Sequence, residues 1–261
     1  MNAFSRSILG LFLLVGSIFT WNLYQPASTV DAKFGMQAAS PTPPNMRIGY
    51  MFKAAYMPVP PVIDGDWTDL PSTEYALKWI VYGQKAWTNS QDLQGSFRAG
   101  WDESNLYLAV KVIDNVYVQN ARIEQIYKGD GFELLFDADL PGDYSSTTLN
   151  SDDYQIAFSG GRPSVTYPST EAYMYYPTAL RSPRPEITIA ATRANRITRY
   201  EVAIPWTTLG VTPAADKHYG FVLNINDNDD DTRDVQQTVM SNVRKRVLTN
   251  PVTWGDLWLL P

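Results

Sequence analysis

The run Asp227-Asn228-Asp229-Asp230-Asp231 sets carboxylates at alternate positions. A chain offers oxygens to calcium in this way, and that hard cation takes about six to eight of them. The ligands expected from the run are Asp227, Asp229 and Asp231. The run is not an EF-hand, because Thr232 stands where the loop needs glycine and Thr238 where it needs glutamate. The competing reading is a solvated turn, since Asp and Asn are favoured turn formers. Asp64, Asp66 and Asp69 make a second acidic group. Upstream of the run, Asp130-Gly131-Phe132-Glu133 places Glu133 opposite the apolar face of Phe132, Leu134 and Phe136, where it meets either solvent or a ligand.

Other chemistries are closed off. The 261 residues include no Cys and one His, His218. Thiolate metal sites, cysteine nucleophiles and multi-histidine centres are therefore excluded, and a Ser/His/Asp triad would have to use His218. Glycoside hydrolysis needs only two carboxylates and stays open as an alternative, although no buried acid beside an ionised partner stands out. Lys plus Arg total 21 against 27 Asp plus Glu, a net charge of −6, which argues against nucleic acid as a partner. No organic cofactor is expected. Aromatic residues make up 13% of the chain, more than a core alone usually requires. Two clusters, Trp79, Tyr82 and Trp87, and Tyr173, Tyr175 and Tyr176, fall outside clean alternation. Each reads as a stacking platform or as a loop tied down by buried rings. Arg181, Arg184, Arg193, Arg196 and Arg199 read as a solvated sheet edge, and Arg244-Lys245-Arg246 as an exposed segment.

These residues must be positioned by something, and period-2 alternation dominates from about Arg47 onward. Phe97, Ala99 and Trp101 share one strand face. After the turn Asp102-Glu103-Ser104-Asn105, Leu106, Leu108, Val110 and Val112 share the next, with Tyr107 and Lys111 opposite, which predicts a hairpin. The pattern recurs to the closing strand Trp254 to Leu260, giving roughly ten strands and an all-β, jelly-roll-like antiparallel β-sandwich. Trp206 to Leu209 is the single expected helical turn. Ahead of this domain, 47–261, lie two other segments. Arg6 and the apolar run from Ile8 to Trp21 read as a signal peptide within 1–32, or as an uncleaved anchor; 33–46, with Ser40-Pro41-Thr42-Pro43-Pro44, reads as a linker. A periplasmic or secreted location is expected, with a membrane as partner only if the first segment is retained.

Six motifs then occur in the order seen in family 9 carbohydrate-binding modules, part of a wider DOMON-like sandwich superfamily. They are Pro60-Pro61-Val62-Ile63-Asp64-Gly65, the segment Gly100 to Leu108, the segment Gly129 to Asp137, Tyr200-Glu201-Val202-Ala203-Ile204-Pro205-Trp206, Asn224-Ile225-Asn226-Asp227 and Trp254-Gly255-Asp256-Leu257. The chain resembles that family over about residues 47 to 261. The resemblance implies a β-sandwich without catalysis of its own, bound calcium, and a slot for the end of an oligosaccharide or glycan. Rings stack on the apolar faces of a sugar while carboxylates and amides bond its hydroxyl rim. By resemblance, Tyr127 supplies one wall and Glu133 accepts from sugar hydroxyls, with Asp130 opening the motif. Where the family carries an Arg and an Asn on a later strand, this chain has Ala157 and Ser159, and Leu248 stands where a second stacking Trp is expected. The candidate sugar-binding residues are thus Tyr127, Asp130, Glu133 and Ser159, with Trp79 and Tyr173 from the aromatic clusters. Haem-binding relatives in the same superfamily leave one further alternative, an electron carrier using His218 with Met174 or Met240.

Overall fold

The computed structural model describes residues 47–162 and 170–261; the expected signal and linker segments, 1–46, lie outside the described residues. Its strands are β1 (Met51–Tyr56), β2 (Tyr75–Leu77), β3 (Trp79–Tyr82), β4 (Leu93–Trp101), β5 (Asn105–Asp114), β6 (Gly131–Asp137) and β7 (Asp153–Ser159). They continue with β8 (Glu171–Tyr176), β9 (Ser182–Pro183), β10 (Thr188–Ala194), β11 (Ile197–Pro205), β12 (His218–Asp227), β13 (Thr238–Ser241) and β14 (Gly255–Leu259). A one-turn helix, α1 (Leu140–Asp143), follows β6, and the helical turn expected at Trp206 to Leu209 is a 3-10 turn over those residues.

The strands run in the order β10-β11-β5-β4-β1-β14-β12-β6-β7-β8-β9, with β2 on β4 and β13 joining β12 to β3. This curled sheet closes on itself as a sandwich. Phe97 on β4 meets Phe221 on β12 at 5.5 Å between ring centres, and Tyr200 on β11 meets Phe132 on β6 at 5.3 Å. The strands are more numerous than expected, and the sheet is not wholly antiparallel. The start of β1 pairs in parallel with β14 and its end in parallel with β4, so one strand links both layers. Alternation marks β1 as a strand but carries no information on its direction.

The expected hairpin of β4 and β5 forms, with Trp101 opposite Leu106. Asp102 shapes its turn: Oδ1 accepts from the amides of Ser104 and Asn105, each at 2.7 Å, and Oδ2 from the Tyr107 hydroxyl at 2.6 Å. The Trp206 indole donates to the Asp102 carbonyl at 2.8 Å, tying two of the quoted motifs together. A second tie holds the early turn, where buried Glu201 accepts from the amides of Asp64 and Gly65 at 3.0 and 2.8 Å. Gly65 sits at φ 89°, a left-handed conformation that side chains disfavour. The face of β5 expected to look outward is covered instead, since Tyr107 and Ala109 pack against Met57, Trp67 and Leu70. Among the described residues no helix is long and apolar enough to cross a membrane.

Candidate functional site

A groove of about 480 Å³ opens over the β6 and β7 strands, and Tyr127, Glu133, Gln155, Tyr175, Arg181 and Arg246 line it. Glu133 and Gln155 share the outer face of these neighbouring strands, and the small side chain of Ala157 stands directly opposite Glu133. Glu133 is buried, and its Oε1 accepts from the Asn226 side chain on β12 at 3.0 Å. Burial pushes its carboxyl above the ordinary value of 4.5, against the opposing pull of Asn226, Arg246 and Gln155. Arg246 projects from the segment between β13 and β14 and is fixed by one bond, Nε to Asn224 Oδ1 at 3.2 Å. Asn224 and Asn226, alternate residues of one strand, thus hold the cation and the anion of the site.

Tyr127 comes from a 3-10 turn over Ile123–Lys128 that lies against β7 and β8. Its ring meets Tyr175 edge-on, 5.8 Å away at 89°, and its carbonyl accepts from Gln236 at 3.3 Å. The Tyr175 hydroxyl donates to the Glu124 carbonyl at 3.0 Å, so this wall is braced at both ends. Leu248 and Tyr82 also line the groove, and Tyr82 is 57% exposed. The Arg181 and Glu124 side chains pair at 3.5 Å near solvent, a contact of little energetic weight.

Of the six expected sugar-binding residues, the fold brings Tyr127 and Glu133 together and places the other four away from the groove lining. Asp130 is corrected to a bracing position: it is 5% exposed, with Oδ1 accepting from the Asn228 amide at 3.0 Å and Oδ2 from the Val118 amide. Ser159 is buried at the end of β7, and its Oγ accepts from the Gly161 amide at 3.1 Å. Trp79 lies beneath the Arg244 guanidinium at 5.0 Å, while its neighbours Val81 and Tyr82 reach the groove. Tyr173 is buried against Ile126 and Ala157, and the ring turned to the groove is Tyr175. Tyr173 and Tyr175 share a parity, so period 2 does not decide which of them is covered. Sequence reasoning named Tyr175 within an aromatic cluster but missed Gln155 and Arg246. Gln155 alternates in phase with Ala157, whereas Arg246 sits in a loop without periodicity.

The acidic run is rearranged as well. One carboxylate oxygen from each of Asp114, Asp227 and Asp229 lies within 4.8 Å of the others, while Asp231 is exposed and outside the group. Asp114, at the end of β5, is far from the run in sequence, so spacing could not reveal it. Burial pushes Asp227 up to about 8 and Asp114 to about 6, each raised further by neighbouring acids, with Arg193 3.3 Å from Asp114 opposing. Buried Oδ1 atoms of Asp227 and Asp229 accept no hydrogen bond. Hard, unsatisfied oxygen donors of this kind fit calcium. Asp64, Asp66 and Asp69 each spend an oxygen on a turn amide and do not form such a group among the described residues. The haem alternative loses its ligands. The His218 Nδ1 is 2.8 Å from Asp256 Oδ1, and Met174 and Met240 lie in the core.

Residues 62–260 match the family model described as Carbohydrate family 9 binding domain-like. Among solved structures the chain is similar to a carbohydrate binding module family 9 from Caldicellulosiruptor kristjanssonii in complex with cellotriose. The identity is 18% and the TM-score 0.61, over 80% of this chain and 93% of that one. A module of the same family and organism in complex with glucose gives 18% identity and a TM-score of 0.60, over 80% of this chain and 95% of that one. At these identities the likeness concerns the fold. No curated protein matches the chain.

Proposed function

Because the chain belongs to the carbohydrate family 9 binding domain-like family, we propose that its groove binds an oligosaccharide without transforming it. The observation that carries this reading is Glu133, a buried carboxylate held by Asn226 beside the Tyr127 and Tyr175 rings and the Arg246 guanidinium. A pyranose presents apolar C–H faces to rings and hydroxyls to such charged and amide groups. Tyr127 stacks on one face of the sugar, Glu133 accepts from its hydroxyls, and Arg246 donates from the position left empty by Ala157. Elsewhere in the lining, Leu248 offers an aliphatic surface and the exposed Tyr82 a further ring. The cellotriose and glucose bound by the two similar modules make β-linked gluco-oligosaccharides the ligands to test.

Calorimetric titration with cellotriose is the direct test. Tyr127→Ala weakens binding about tenfold, the loss expected for a stacking ring; unchanged affinity overturns the site. Binding also has a pH signature. A carboxylate whose value is raised accepts hydroxyl protons above that value and loses this ability as pH falls through it. Affinity therefore declines on acidification from a pH higher than a solvated glutamate at 4.5 would give. Affinity flat down to about pH 4 would show that the ionised Glu133 is not used.

Asp114, Asp227 and Asp229 hold a structural calcium ion in this reading, supported by their unsatisfied buried oxygens. The basic start and apolar run of the first residues support export to the periplasm or beyond, where a carbohydrate-binding protein takes part in sugar uptake and catabolism.

A further inference from the structure

The sugar groove opens over β6 and β7, and the outer face of β4, β5 and β11 carries charge that it does not use. These strands are neighbours in the order β11-β5-β4, and their register fixes which outward side chains meet. Ser96, Lys111 and Arg199 form one row across the three strands, and Arg98, Ala109 and Glu201 form the next. The small Ala109 leaves room in its row, and Trp67 packs there. A pocket of about 220 Å³ results, lined by Trp67, Thr68, Glu74, Arg98, Lys111 and Arg199.

Three cations in this lining face one acid. Glu74 pairs with Lys111 at 2.7 Å and with Arg98 at 3.5 Å, and it also accepts from the Ser96 hydroxyl. Arg199, half-buried and one strand in from the edge strand β10, has no ion-pair partner among the described residues. Glu201 shares the face but spends an oxygen on the amides of Asp64 and Gly65 and does not line the pocket. Hydrogen-bond donors are in excess too. Trp67 is 7% exposed, and its indole Nε1 is buried without an acceptor, as is Nε of Arg98. Buried donors left unpaired are costly. The Arg98 guanidinium and the Lys111 ammonium lie over the Trp67 ring, 5.1 and 5.6 Å from its centre, an attraction that keeps both charges at the pocket. Surplus positive charge and spare donors, in a chain of net charge −6, make a place that an anion completes. We propose that this pocket binds an oxyanion, namely a sulfate, phosphate or carboxylate group. Arg98 and Arg199 supply charge-assisted hydrogen bonds, Lys111 a compact charge, and the Trp67 indole a neutral donor. An inorganic ion and the acidic group of a charged sugar offer this same chemistry. The proposal is independent of the roles given to Tyr127 and Glu133.

The test is calorimetric titration of the protein with sulfate, phosphate and glucuronate at constant ionic strength, with chloride and glucose as the references. At least one oxyanion binds saturably where chloride does not, and Arg199→Gln weakens that binding about tenfold to a hundredfold, the range for a bond to a charged group. Glu74→Gln removes the competing carboxylate and tightens the same binding about two- to fivefold, a gain that a merely structural role does not produce. Trp67→Phe keeps the ring, loses the donor and weakens binding. If that variant does not fold, the Arg199 and Glu74 variants carry the test, since neither side chain is in the core. Arg196→Gln, an exposed cation outside the pocket, leaves binding unchanged. Sulfate or phosphate bound without glucuronate identifies a free ion, and glucuronate bound where glucose is not identifies a charged sugar; either upholds the pocket. Absence of saturable binding for all three oxyanions, or an affinity unchanged in Arg199→Gln, would overturn the proposal. Tyr127→Ala leaves oxyanion binding intact, and its loss in that variant would move the anion to the sugar groove and overturn the proposal as well.

Discussion

Glu133→Gln lowers the affinity for cellotriose about tenfold to a hundredfold, the range for losing hydrogen bonds to a charged acceptor. The same substitution leaves the thermal midpoint unchanged or raises it. Burial already penalises the ionised form of Glu133, and a glutamine of equal size keeps the contact with Asn226 without that penalty. A side chain retained at a cost to stability and needed for binding behaves as a ligand contact. Urea unfolding and calorimetry on the same preparation measure both quantities. A fall in stability with unchanged affinity would make Glu133 a bracing residue and remove the centre of the groove.

Asp130→Ala gives the opposite pair of results. Its two oxygens serve the buried amides of Val118 and Asn228, and alanine leaves both without an acceptor. At about 1–3 kcal/mol for each orphaned group, stability falls by about 2–6 kcal/mol. Asp130→Asn keeps one acceptor and falls less. The molecules that remain folded bind sugar as before, since Asp130 does not line the groove. Affinity lost in proportion to Glu133→Gln would return Asp130 to the sugar site. The two acids of one short motif thus separate cleanly, one by binding and one by stability.

Much of the sandwich was legible because alternation states which residues face the core. Phe132, Leu134 and Phe136 are fully buried, as their spacing requires, and the turn at Asp102 forms where its Asx residues stand. What alternation could not state is how far the sheet curls. A strand buried on one face reads like one covered on both, so β5 hid the packing of Tyr107 under Trp67. Alternation likewise leaves Tyr173 and Tyr175 undistinguished, and Tyr175 is the one that lines the groove. A loop has no period, so nothing in the sequence sets Arg246 apart from Arg244 and Lys245, yet it lies in the groove beside the Asn224 that fixes it.

By itself the sequence determined the classes of chemistry open to this protein. Without Cys, with one His and with abundant acids and aromatic rings, it leaves carboxylates, amides and rings as the groups from which a site can be built. The resemblance of its motifs to the family's also pointed to Tyr127 and Glu133 together, and both line the groove. The tertiary structure alone decided which acids meet. Asp114 joins Asp227 and Asp229, and Asp137 joins Asp143 and Asp152, while Asp231 stays outside. The reason is physical: a cation site is a matter of oxygens within a few ångströms, and strands distant in sequence are brought that close only when the sheet closes around its core.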